Sequence, residues 1–180
     1  SFEHLELNPD SFIFPEKAKV FVKFGTGNRT IESQKTSQFF TQLDLSYNVN
    51  LNPKNSIHLR NQTFYLQSDN YVINELFRFG GINSIRGFNE NSLQANAYTG
   101  IIAEYRYLVA SNLYLHSITD FGYFQDKTSN TKDQLLGLGF GFGLFTKNGL
   151  LNLVYANGST SDQAIKLSNS IVHISFKTNF

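Results

Sequence analysis

Alternation with a period of two runs through almost the whole chain and sets the fold it can adopt. Between Ala95 and Val109 the odd positions include Ala97, Thr99, Ile101, Ala103, Tyr105, Tyr107 and Val109, and the even ones include Asn96, Gly100, Glu104 and Arg106. A strand sends successive side chains to opposite faces, so this segment has one apolar and one polar face. The pattern recurs. Ala18, Val20, Val22 and Phe24 alternate with Lys17, Lys19 and Lys23, and Phe39, Thr41, Leu43, Leu45 and Tyr47 with Gln42, Asp44, Ser46 and Asn48. Ile57, Leu59 and Tyr65 alternate with His58, Arg60 and Gln62, although Asn61 and Thr63 dilute that apolar face. Leu113, Leu115, Phe121 and Tyr123 alternate with Asn112, His116 and Asp120. Leu136 to Leu144 alternates with four glycines, a shorter strand covers Leu150 to Asn157, and Val172, Ile174 and Phe176 alternate with His173, Ser175 and Lys177.

This predicts an all-β chain of about eight strands, most near ten residues or longer. Soluble strands average five or six residues, whereas strands that cross a bilayer need about nine to eleven. The connections also alternate. Asn50 to Lys54, Ala110-Ser111 and Lys147 to Gly149 are tight, whereas Gly25 to Lys35, Gln67 to Gln94, Gln125 to Asp133 and Asn157 to Leu167 are long and polar. Short turns on one side and long loops on the other mark an antiparallel transmembrane β-barrel. A soluble sandwich or lipocalin-like barrel also alternates, but with shorter strands and an apolar inner face. The mean hydropathy of −0.26 does not oppose a membrane location, because inward polar residues cancel the outward apolar ones.

Several chemistries lack their residues. The net charge of +1 gives no field for nucleic acid, and with no Cys in the 180 residues there is no disulfide or thiolate. His4, His58, His116 and His173 show no metal-ligand spacing, and no Gly-x-Ser-x-Gly elbow frames a nucleophile. Neither a catalytic set nor a cofactor or metal is expected, and the chain is not read as an enzyme. Asp44, Glu104 and Asp120 lie on the polar face and are better read as ion-pair partners than as acid/base groups. Gly137, Gly139, Gly141 and Gly143 lie within a strand with no helix behind them, so they form a stripe on the lumen face and not a phosphate loop. Such a stripe leaves room for another element or for sharp bending. Asn28-Arg29-Thr30 and Asn61-Gln62-Thr63 match the glycosylation triplet, which would carry no weight if the barrel is a bacterial one.

The connection from Gln67 to Gln94 stands apart, because loops of this length are usually functional. Phe77, Phe79, Ile82, Ile85 and Phe88 punctuate it, and Gly80-Gly81 and Gly87 flank Arg86. Apolar residues in such a loop imply that it packs against something, and the glycines permit tight backbone geometry on both sides of the arginine.

Gly80-Gly81 followed by Ser84-Ile85-Arg86-Gly87-Phe88 resembles the (V/I)RG(F/Y) signature of the BamA/TamA-type outer-membrane insertase and translocase superfamily, the bacterial surface antigen barrels. The resemblance implies that the loop folds back into the lumen and that Arg86 meets acidic residues of the next two strands. Glu104 and Asp120, the latter in Asp120-Phe121-Gly122, look like the matching positions. Phe12 to Ala18 looks like the family's FPxxG strand entry, with Ala18 where Gly is usual, and Phe180 resembles its terminal targeting residue, closing the strand of Val172, Ile174 and Phe176. Residues 1–180 would then be the second half of a sixteen-stranded barrel, with Ser1 to Leu7 the tail of the preceding strand and Ser1 the start of a mature chain or of a piece. The periplasmic POTRA domains and first-half strands, which in the family capture substrate and form the lateral gate, are not in these residues.

The resemblance implies a Gram-negative outer membrane and a role in inserting or translocating polypeptides. Expected partners are outer-membrane lipid, unfolded outer-membrane or secreted polypeptides, and POTRA domains or accessory lipoproteins. The alternatives are a self-contained eight-stranded barrel with a structural or adhesive role, and a passive pore.

Overall fold

The structure is a computed structural model that describes residues 1–8, 14, 16–31 and 34–178. Nine strands form one antiparallel sheet in which every strand neighbours the next long strand in sequence. They are β1 (Phe2–Leu7), β2 (Glu16–Ile31), β3 (Gln34–Asn52), β4 (Asn55–Ser68), β7 (Ala97–Ala110), β8 (Leu113–Asp126), β9 (Thr131–Thr146), β10 (Gly149–Ser159) and β11 (Ile171–Lys177). Two short strands inside the long connection, β5 (Phe77–Phe79) and β6 (Leu93–Ala95), pair only with each other. The chain is all-β and antiparallel, as the alternation requires. Ser1 to Leu7 supplies the ninth strand, paired with β2 from Phe2↔Val22 to Leu7↔Glu16.

The strands are longer than the alternation of apolar residues suggests. Gly25 to Lys35 is not an open loop: the β2–β3 ladder continues to Ile31↔Gln34. Likewise β8 and β9 pair as far as Asp126↔Thr131, and β10 runs on to Ser159. The reason is that alternation persists in polar form. Beyond the apolar band both faces of a strand meet water, so Thr26, Asn28 and Thr30 do not end the strand. Only the apolar signal stops there.

The two faces separate as the parity requires. Phe24, Ile101, Phe121, Phe140 and Ile174 all stand exposed on one face. A soluble sheet rarely exposes so continuous an apolar surface, but lipid covers one in a membrane barrel. Asn61 and Thr63 interrupt this face, yet they satisfy each other. Thr63 Oγ1 bonds to Asn61 Oδ1 at 3.2 Å and to Thr99 Oγ1 at 2.9 Å, and Asn61 Nδ2 donates to the Gly100 carbonyl at 3.2 Å.

The concave face carries the buried residues: Tyr98, Ile102, Tyr114, Ile118, Val154 and Ala156 beside the charged Arg86, Glu104 and Asp120. The glycines of β9 lie here too. An added Cβ would fall 2.4 Å from the Tyr155 carbonyl oxygen at Gly139 and 2.4 Å from that of Leu153 at Gly141. The sheet therefore curls so tightly that β10 backbone occupies the space of β9 side chains. Among the described residues, β1 and β11 end the sheet without pairing to each other.

Candidate functional site

The connection between β4 and β7 folds onto the concave face. Within it the β5–β6 ribbon forms a stem, which aromatic rings fasten to the wall. Phe77 stacks on Phe64 at 5.0 Å between centroids, and Phe79 stacks on Tyr98 at 4.1 Å and meets Phe124 edge-on at 5.5 Å. Such ring pairs add about 0.5–1.5 kcal/mol each beyond the area they bury. Arg29 of β2 secures the early part of the connection by bonding to Glu75 and to the Asn70 carbonyl.

Past the ribbon the chain turns sharply. Gly81 N–H donates to the Ile85 carbonyl at 3.1 Å, and Ser84 N–H donates to the Gly81 carbonyl at 3.1 Å. Gly81 and Gly87 have φ of 99° and 88°, a region costly for residues with a Cβ. Crowding adds to the requirement at Gly87, where a Cβ would lie 2.3 Å from the Gly158 backbone nitrogen.

The tip enters a trough of glycines. Gly100 of β7 and Gly122 of β8 are direct cross-strand partners, and a Cβ on either would lie 3.2 Å from Ile85 Cδ1. Ile85, with no exposed surface, fills the space their missing side chains leave. Ser84 Oγ lies 3.2 Å from the Tyr98 hydroxyl. One row further along, Asp120 of β8 pairs with Gly137 of β9, which pairs with Gly158 of β10. The backbone of Arg86 and Gly87 lies across this row. A Cβ at Gly137 would fall 2.3 Å from the Arg86 carbonyl oxygen, and one at Gly158 would fall 2.5 Å from that of Gly87. The Phe88 ring also covers Gly158.

Arg86 is buried within this contact. Its Nε donates to Asp120 Oδ2 at 2.8 Å and its Nη2 to Asp120 Oδ1 at 2.5 Å, the side-on fork that suits a carboxylate. Its backbone N–H donates to the same Oδ2 at 2.9 Å, and Nη1 bonds to Glu104 Oε1. Glu104 also accepts from Arg106 Nε at 2.7 Å. A neighbouring pair repeats the pattern: Arg60 Nε donates to Asp44 Oδ1 at 2.7 Å, and its Nη1 donates to the Asn83 carbonyl at 3.0 Å. The three carboxylates Asp44, Glu104 and Asp120 thus face the three guanidiniums Arg60, Arg86 and Arg106. In so shielded a place, charges persist only when paired and hydrogen-bonded, and this set meets both conditions.

The structure therefore brings Gly80, Gly81, Ser84, Ile85, Arg86, Gly87 and Phe88 together with Glu104, Asp120 and Gly122. It does not bring Val172, Ile174 and Phe176 to them, because these lie on the opposite face of β11, and Phe180 lies outside the described residues, as do Phe12, Ile13 and Pro15. Sequence reasoning did not assign Arg60, Arg106, Gly100, Gly158 or His173 to the site. Parity places the two arginines on the polar face, and Arg106 stands two residues from Glu104, so that pair was within reach of the sequence.

Beneath the loop, toward the tight turns, a cavity of about 580 Å³ opens between Phe14, Asp44, His58, Arg60, Arg106 and Lys177. The Phe14 ring meets Tyr114 edge-on at 5.0 Å and lies under the Arg106 guanidinium at 4.7 Å. No helix among the described residues is long and apolar enough to cross a membrane.

A family model, that of the Omp85 superfamily domain, matches residues 8–165. At the level of the superfamily this means an outer-membrane β-barrel concerned with inserting or translocating polypeptides. No curated protein matches the chain.

Proposed function

The chain belongs to the Omp85 superfamily, and from that premise we propose that it is the carboxyl-terminal part of a barrel that assembles, inserts or translocates polypeptides at the outer membrane. The observation that carries this reading is the seat of Arg86. An ordinary surface loop has no reason to bury a guanidinium between two wall carboxylates, nor to lay its backbone along a row of glycines. A loop held in this way lies in the path of anything that moves through the lumen.

The barrel is wider than these nine strands. A closed eight-stranded barrel is filled by its own side chains, yet here a whole loop lies on the concave face while, among the described residues, β1 and β11 do not pair. Unpaired strand edges in lipid cost several kcal/mol per unsatisfied group, so further strands complete the wall. The side bearing residues 69–92, 127–130 and 160–170 faces outward from the cell, and the tight turns face the periplasm. The work is one of shape and of loop position, with no bond made or broken by the protein.

Depletion of the full-length protein in its own cell tests the reading. Other outer-membrane barrels should then fail to acquire their folded, heat-modifiable form, or secreted polypeptides should fail to reach the surface. Normal assembly and secretion, with altered permeability to small solutes alone, would mean a passive pore.

A further inference from the structure

We propose that His173 is a positioning residue that latches the strand β11 to the tip of the loop, so that the loop and this strand move together. Successive backbone nitrogens of the tip hold different strands. The N–H of Arg86 donates to Asp120 of β8 at 2.9 Å, and that of Gly87 donates to His173 Nε2 of β11 at 3.3 Å. Two strands, β9 and β10, lie between these partners in the sheet. The two side chains can reach successive peptide nitrogens because the intervening strands present Gly137 and Gly158 there. The gripped nitrogens belong to consecutive residues, so there is no slack: the tip cannot leave Asp120 without pulling on His173.

The same contact matters to β11. This strand has seven residues, the shortest of the main sheet after β1, and each pairs with β10 from Ala156↔Ile171 to Leu150↔Lys177. Among the described residues its other edge has no partner strand. The contact with Gly87 is therefore a tie to β11 that does not run through its ladder. His173 is buried, and its register partner is Val154. To accept from Gly87 the imidazole must be neutral with its proton on Nδ1. Once protonated, both ring nitrogens donate and the latch opens. The charged groups that face the ring are Glu90 and Arg86 of the loop and Asp120 of β8.

The inference rests on the proposed lumen position of the loop, but its test requires no assembly or transport activity. Amide hydrogen exchange of residues 171–177 is followed in the full-length protein in lipid nanodiscs, corrected for intrinsic rates, at about pH 8 and about pH 4.5, well to either side of the usual titration of histidine. His173→Leu removes the acceptor and should speed exchange of this segment by about three- to tenfold at pH 8, the factor expected for one hydrogen bond net of solvent. His173→Gln restores an acceptor that does not titrate. It should protect β11 equally at both pH values, whereas the parent protein should lose protection at the lower one. Unchanged exchange in His173→Leu, or equal acid sensitivity in the parent and in His173→Gln, overturns the latch. Should His173→Leu fail to fold, the comparison of the parent with His173→Gln decides alone. Loss of the latch with assembly intact would leave the proposed function standing, and the reverse result would sink that function while sparing the latch.

Discussion

Replacing Arg86 by Ala should free the loop while leaving the barrel folded. The side chain supplies two hydrogen bonds to Asp120 and one to Glu104. Without it, Asp120, which has no exposed surface, keeps only the backbone N–H of residue 86. Removing one partner of a buried ion pair costs about 3–5 kcal/mol. Glu104 suffers less, because Arg106 still pairs with it. Lifting the loop lets water reach Asp120 and relieves the cost, so the penalty falls on the seated loop and not on the strands. At about 1.4 kcal/mol per decade, the opening equilibrium should shift by up to roughly 150- to 5,000-fold. The chain has no Cys, so Ser84→Cys gives a single thiol at a position only 6% exposed. Its labelling by a membrane-impermeant maleimide should be slow in the parent and at least about tenfold faster with Arg86→Ala, the heat-modifiable barrel band being retained. Glu104→Gln leaves the fork on Asp120 intact and should have a clearly smaller effect. An acceleration below about threefold in Arg86→Ala would refute the anchoring argument. Equal release in Glu104→Gln would show that Asp120 is not the principal partner.

Gly137→Ala and Gly158→Ala should also speed Ser84→Cys labelling, although neither alters a charge, because each new Cβ would meet a loop carbonyl oxygen, at 2.3 Å and 2.5 Å respectively. Lysine at Phe140 or Ile174, both exposed on the outer face, should cost about 2–4 kcal/mol in a refolding titration in lipid, whereas Gln42→Lys on the inner face should be tolerated. Equal tolerance at Phe140 and Gln42 would overturn the assignment of faces. Single cysteines at Ser129 and Asp162 should be labelled in whole cells and one at Asn148 should not; the opposite pattern would invert the topology.

The fold was legible because alternation is a strong signal when one face meets lipid. Parity alone put Glu104, Asp120 and the β9 glycines on the inner wall, and the strand order followed from the connections. Strand ends were not legible, because Thr26, Asn28 and Thr30 pair in a ladder while looking like loop residues. The anchor was legible only through the resemblance. Nothing local in the sequence ties Arg86 to carboxylates 18 and 34 residues away. The glycine trough was half visible: the β9 stripe stood out and Gly122 came with the resemblance, but Gly158 looked like the start of a loop, and Gly100 is isolated. His173 meets a backbone amide 86 residues away, a contact between a side chain and a peptide group that leaves no mark on either residue type.

The three carboxylates Asp44, Glu104 and Asp120 each have a guanidinium partner only while the loop is seated. Once Arg86 lifts away, Asp44 keeps Arg60 and Glu104 keeps Arg106, but Asp120 is left as an unmatched negative charge. The opened wall therefore attracts the guanidinium that has just left it, and recapture should slow as ionic strength rises. It attracts foreign cations equally. A lysine or arginine on a polypeptide within the lumen would compete with Arg86 for one carboxylate, so the charge sequence of the passenger, and not its bulk alone, would set how long the loop stays away.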